Sequence, residues 1–179
     1  MRPTEVQGLW AQYNQHKNKF YAGWINRFSP RGTVEWYKTG ESIGIYAVGV
    51  NLDGTKSGYK NELESAGVAL TGAELPISKN HNLQVWNQYV ENIFNSSLVQ
   101  VDKLASAQSH YYYGVQLIGQ KAIGFGGNES IDKTYFNPNQ SSFVFGGRLG
   151  KKEGSWDHSI NFTRITKHGR YMMPREWGR

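Results

Sequence analysis

Residues 141–165 read SSFVFGGRLG, then KKEGS, then WDHSINFTRI. In the first ten residues, Phe143, Phe145, Gly147 and Leu149 share one parity, and Ser142, Val144, Gly146 and Arg148 share the other. Beyond the glycine-containing turn, Ile160 and Phe162 alternate with Ser159, Asn161 and Thr163. Successive side chains of a strand point to opposite faces, so this period of two describes two strands with one oily and one wet face. Each run is about ten residues long, which is what a tilted strand needs to cross a bilayer. Two such runs joined by a tight polar turn are the repeating unit of a transmembrane β-barrel.

Working outward from that hairpin, the same alternation recurs upstream. Strands are expected at Gln7–Tyr13, Phe20–Phe28, Ser65–Ala73, Leu83–Asn92, Leu98–Leu104 and Tyr111–Gln120, which makes eight with the opening pair. On the second, Phe20, Ala22 and Trp24 oppose Tyr21, Gly23, Ile25 and Arg27. On the sixth, Tyr111, Tyr113, Val115 and Leu117 oppose Tyr112, Gln116 and Gln120. The connections are sorted by length. Those near 15–19, 76–82, 105–109 and 151–155 are short, whereas Ser29–Glu62, Gly124–Gln140 and the tail after the eighth strand are long. A turn at Phe94–Ser96 is the one exception. Short turns at one end and long loops at the other characterise an outer-membrane barrel, and a soluble meander has no reason to sort them this way. Tyr13, Phe20, Tyr111 and Trp156 lie near strand ends, as interfacial belt aromatics do.

Composition agrees with a barrel that has a wet interior. Charged residues are 19%, aromatics 14%, and there are 21 glycines among 179 residues. Mean hydropathy is −0.62, and no run of about 18 apolar residues exists to form a spanning helix. The length suits one domain, 1–179. Net charge is +6, concentrated in residues 151–179, which hold seven Lys and Arg against three acids. Nothing resembling a nucleic-acid-binding motif accompanies the charge, so a positive funnel for small anions is the better account. Without cysteine there are no disulfides and no thiolate metal sites.

The start, MRPTEVQGLW, lacks the apolar core of an export signal, and the end, GRYMMPREWGR, is not a strand closing on an aromatic residue. Together these features lead us to expect an internal piece of a larger barrel. The segments GAELPISKNHNLQVWNQYVENIFN (72–95), YYYGVQLIGQ (111–120) and SSFVFGGRLGKKEGSWDHSINFTRITKHG (141–169) resemble the OprD-type family of outer-membrane porins. GLWAQY and RFSPRGTVEWY are similar to its divergent members. The resemblance implies a pore of about 18 strands, of which some eight would lie here. It further implies a narrow constriction, a ladder of basic residues, and passage of small carboxylate-bearing solutes such as amino acids and short peptides. The partners expected are those solutes, outer-membrane lipid and the barrel assembly machinery acting on the parent protein.

A pore needs no catalytic group; it needs a polar lumen and charge of the right sign where it narrows. Arg27 and Arg148 fall on the polar parity of their strands, and Arg31, Lys38, Arg170 and Arg175 sit in the long loops. These six are the candidate substrate path. The alternative is that they are solvated loop charges or headgroup partners. Arg164 shares the parity of Phe162, which breaks the alternation unless a bulge intervenes. Glu35, Glu41 and Asp53 in the first long loop would suit an amino group, although surface acids are the simpler account. Asp157, His158 and Ser159 are adjacent on a strand and therefore cannot line up as a nucleophile–base–orienter triad. Histidines 16, 81, 110, 158 and 168 show no ligand spacing. The glycines of 124–128 are followed by no Lys-Ser/Thr, so no cofactor is expected. Two other classes compete with the channel: a soluble β-sandwich binding carbohydrate through Trp and Tyr, and a β-rich hydrolase or lyase. A sandwich would bury Phe143, Phe145, Val115 and Leu117 against a second sheet.

Overall fold

The computed structural model describes residues 3–46, 48–51, 53–106 and 109–177. Among them the chain forms β1 (Glu5–Gln15), β2 (Asn18–Ser29), β3 (Tyr37–Lys38), α1 (Thr39–Ser42), β4 (Val68–Pro76), β5 (His81–Val90), β6 (Phe94–Lys103), β7 (Tyr111–Ala122), β8 (Ser141–Glu153) and β9 (Trp156–Ile165). The eight long strands make one antiparallel meander in the order β1-β2-β4-β5-β6-β7-β8-β9, and the two-residue β3 pairs with the end of β2. The sheet is open, since β1 and β9 each have one neighbour.

All eight expected strands are present, with some boundaries moved. The third begins at Val68 instead of Ser65, and the fifth begins at Phe94 instead of Leu98. The turn expected at Phe94–Ser96 lies at 91–93. Asn92 takes the left-handed conformation there (φ 60°), which asparagine tolerates better than most residues. Because successive strands are antiparallel, the connections at 16–17, 77–80, 104–110 and 154–155 share one end of the sheet. Those at 30–67, 91–93 and 123–140, and the tail from 166, share the other.

In-register pairing carries the alternation across the sheet. One face shows the row Tyr13, Phe20, Ala73, Val85, Val99, Leu117 and Phe145, and beside it Leu75, Leu83, Val101, Val115, Gly147 and Phe162. Among the described residues nothing covers these rows: Val115, Leu117, Phe143 and Phe145 are 42%, 39%, 44% and 42% exposed. The four residues that a sandwich would seal lie open, and there is one sheet where a sandwich has two.

The opposite face holds Asn14, Lys19, Glu74, Gln84, Gln100, Gln116, Gly146 and Thr163 in one row, and Asn82, Asp102, Gly114, Arg148 and Asn161 in the next. The two long loops and the tail fold over its upper part. There Phe28, Val68, Val90 and Phe94 of the sheet pack with Ile43, Tyr59 and Leu63 of the first loop, Tyr135 and Phe136 of the second, and Ile93 of the short turn. Trp177 of the tail stacks on Phe28 with ring centroids 4.6 Å apart and planes 7° apart. The hydrophobic core therefore lies between the strand ends and the infolded loops, leaving one side of the sheet bare. This inverts the arrangement of a soluble protein, whose sheet buries its oily side.

Candidate functional site

The polar face below the loop core is built by glycines as much as by polar residues. Asp102 on β6 and Arg148 on β8 flank Gly114 on β7 in one register row. Arg148 Nη2 lies 3.4 Å from Asp102 Oδ1. Their side chains are 47% and 11% exposed. Gln100 Nε2 donates to the other carboxylate oxygen at 2.5 Å. Asp102 is thus a nearly buried anion with two donors, which a carboxylate out of water requires. The Arg148 guanidinium also lies over the Tyr112 ring, 5.3 Å from its centre, and Lys152 approaches the same ring at 5.8 Å. Tyr112 rests across Gly150, where any Cβ would run into the phenol. Its hydroxyl donates to Asp157 at 2.5 Å, and Asp157 pairs with Lys152 at 3.5 Å. A hollow of about 230 Å³ opens here, lined by Gln100, Asp102, Gln116, Arg148, Asn161 and Thr163 among others.

A larger cavity, about 390 Å³, lies among the loops. Arg170 of the tail lines it together with Asp53, Asp132, Asn137 and the buried Tyr135 and Phe136. The Thr55 hydroxyl and amide donate to Asp53 at 2.7 and 3.0 Å, which holds its carboxyl below the ordinary carboxylate value. Burial pushes the Tyr135 phenol well above its usual range.

The six candidate residues are therefore distributed, not clustered. Arg148 sits on the polar wall and Arg170 on the loop cavity. Arg31 and Arg175 are exposed, and the Arg31 carbonyl accepts a hydrogen bond from Tyr46. Lys38 is exposed on β3, 3.9 Å from Glu41. Arg27 is exposed beside the buried Phe28, beyond a bulge opposite Gln7 and Gly8. That bulge interrupts the alternation from which its parity was counted. No bulge intervenes at Arg164: the β8–β9 register is regular, and Arg164 stands opposite Phe145 on the apolar face. Of the loop acids, Glu35 and Glu41 accept from the Val34 and Lys38 amides, so each is tied locally. Asp157 bonds inward to Tyr112 while His158 stacks on Trp156, which keeps the adjacent triad-type residues on opposite faces.

Sequence reasoning passed over Asp102, Gln100, Gln116, Tyr112 and Lys152. Alternation was the available signal: Gln100 and Asp102 interleave with Val99 and Val101. What alternation lacks is register, which alone brings residues 102 and 148 together.

No protein-family model matches the sequence, and no match was found among the curated proteins. Solved structures do match. OccK8 (OprE) of Pseudomonas aeruginosa superposes with a TM-score of 0.70 at 10% identity, over 94% of this chain and 43% of that one. OccAB3 of Acinetobacter baumannii gives 0.68 at 8% identity, over 93% and 37%. OpdK of Pseudomonas aeruginosa, solved with vanillate, gives 0.64 at 12% identity, over 90% and 37%. The fold is that of an outer-membrane porin wall. In that porin fold the loop-covered polar face is the lumen side and the bare apolar face is the outside. The chain spans about two fifths of the length of these porins or a little less. The expected barrel of about eight strands, drawn from a larger one, matches the porin architecture, since the similar structures are 18-stranded.

Proposed function

We propose that this chain forms part of the wall of an outer-membrane porin and that the pore passes small anionic or zwitterionic solutes by passive diffusion. The observation that carries the proposal is the alternation of the long strands between an uncovered apolar face and a polar face whose upper part lies beneath the infolded loops. Strands of this kind are stable where hydrocarbon lies on one side and water on the other. Such a pore moves solutes without making or breaking bonds, so the protein is not an enzyme. Its partners are the solute, outer-membrane lipid and the machinery that assembles barrels.

Anion preference is supported by the net charge of +6 and by Arg148 and Arg170, each lining a hollow large enough for a small solute. Arg31, Lys38 and Arg175 add positive potential at the loop end, where a field steers arriving ions. The aromatic carboxylate in the OpdK structure belongs to the same class of solute. Arg27, whose parity the bulge shifts, is left out of this set. The test is ion selectivity of the protein carrying this chain, reconstituted in planar lipid bilayers. Anion-selective conductance that falls on Arg148→Ala is the expected result. Absence of conductance, or cation selectivity, would sink the proposal.

A further inference from the structure

Higher on the lumen face, three aromatic rings form a continuous strip. Trp10 on β1, Tyr21 on β2 and Trp86 on β5 follow one another, the first pair tilted with centroids 5.8 Å apart and the second stacked at 5.0 Å. The interplanar angles are 31° and 22°. Two glycines make the strip possible. Trp10 lies over Gly23, where a Cβ would come within 2.5 Å of the indole, and Trp86 lies over Gly72, where the clash would be tighter still. Both glycines sit in regular strand pairing, so glycine is required there by space and not by turn geometry. Trp10 is 54% exposed, and the strip faces open lumen.

The register places a polar row directly alongside. Asn14, Lys19, Glu74 and Gln84 follow one another across β1, β2, β4 and β5. Lys19 and Glu74 are paired at 3.2 Å, so the row bears no net charge, and the rest of it is carboxamide. A flat aromatic carboxylate would find the rings but no unpaired cation beside them. A sugar would find both of its needs. The C–H hydrogens on one face of a pyranose carry slight positive charge and settle on the negative face of an aromatic ring, while amides and a neutral ion pair serve its hydroxyls.

We propose that Trp10, Tyr21 and Trp86 form a ring-stacking subsite for the pyranose units of neutral oligosaccharides on the lumen wall. This rests on the lumen reading above but not on the anion preference. A ligand that slides along such a strip meets similar faces at each step, which favours transit over capture.

The test is calorimetric titration of maltotriose into the vesicle-reconstituted protein, with sorbitol and benzoate as comparison solutes. Sorbitol has the hydroxyls without the ring; benzoate has a flat ring and a charge. Saturable binding of maltotriose alone is expected. Trp86→Ala should weaken it about tenfold or more, the worth of one stacked ring. Trp86→Tyr should retain it, and Gln84→Ala, which leaves the rings in place, should weaken it less. No heat from maltotriose, binding of benzoate instead, or Trp86→Ala binding as wild type would overturn the subsite. A protein that fails to enter vesicles at all would overturn the porin reading, and this inference with it.

Discussion

Asp102 on β6 reaches Arg148 on β8 across an entire intervening strand, with 3.4 Å between Oδ1 and Nη2. Gly114 makes that reach possible, because a Cβ there would stand 2.5 Å from the same oxygen. The glycine is a notch through which a charge pair spans three strands of the lumen wall. Filling it with Gly114→Leu should part the pair and overpack the wall, costing about 1–3 kcal/mol as read from the urea midpoint in lipid vesicles. Asp102→Asn should keep the packing and leave the Arg148 charge less compensated. We therefore expect Asp102→Asn to raise anion preference and Arg148→Ala to lower it, both measured as reversal potentials across a salt gradient. Movement of both variants in the same direction would show that this pair does not set the local potential.

The tail is held by few contacts, but each is specific. Trp177 stacks on Phe28 and donates its indole N–H to Ser42 at 2.8 Å. The buried Glu176 accepts the Gly44 amide at 2.9 Å. Gln120 exchanges two 2.8 Å hydrogen bonds with the Met172 backbone. Trp177→Ala removes both the ring contact and the donor of a half-buried aromatic, a loss of about 3 kcal/mol or less. That is enough to release the tail from the loop core while the sheet persists. Limited proteolysis should then cut between 166 and 177 at a greatly increased rate. An unchanged cleavage rate would mean that Gln120 and Glu176 suffice.

Tyr135 offers a pH readout from the loop region. Burial raises its phenol above the ordinary value near 10, with Tyr59 adding to the effect. The unfolded chain gives up that proton first, so the native state holds more protons once the pH passes about 10. The stabilising contribution is complete below that point and declines as the pH climbs toward the native value. Urea midpoints of the wild type should therefore fall with alkaline pH more steeply than those of Tyr135→Phe. Spectrophotometric titration of the 11 tyrosines should leave one phenol unionised until unfolding. Equal slopes for the two proteins would disprove the assignment.

How much of this was visible in the residues alone depended on whether the signal was local. The strands could be read because Phe143, Phe145, Val115 and Leu117 alternate with smaller or polar neighbours, and alternation is a property of adjacent residues. The turn near 92 was misplaced by three residues because Phe94-Asn95-Ser96 carries turn-like chemistry, whereas Phe94 is fully buried in the loop core and begins β6. Arg27 lost its assigned parity to a bulge in β2, where Asn26 is passed over between the Gly8–Ile25 and Gln7–Arg27 pairs. Where such an extra residue falls is set by the pairing with β1, which the alternation along β2 alone does not carry. The partnership of Asp102 with Arg148, and the contact of Trp10, Tyr21 and Trp86, require register across three or more strands, which no single stretch encodes.

Arg164 supplies a control for the membrane itself. It shares a register row with Phe145 and Leu117 on the apolar face, yet it lies one residue from the loop end of β9. In a bilayer a long arginine there would extend its guanidinium to the headgroups. Leu117 has no such exit, being five residues from the end of β7. Leu117→Arg should cost about 2–4 kcal/mol, the penalty for arginine at the bilayer midplane. Gln116→Arg, one position along and on the lumen side, should cost far less. The comparison is made by urea unfolding in vesicles of defined thickness, with a third measurement in thinner lipid, where the Leu117→Arg penalty should shrink. Equal penalties at 116 and 117, insensitive to lipid thickness, would mean that hydrocarbon does not lie against this face, and the porin reading would fail on that result alone.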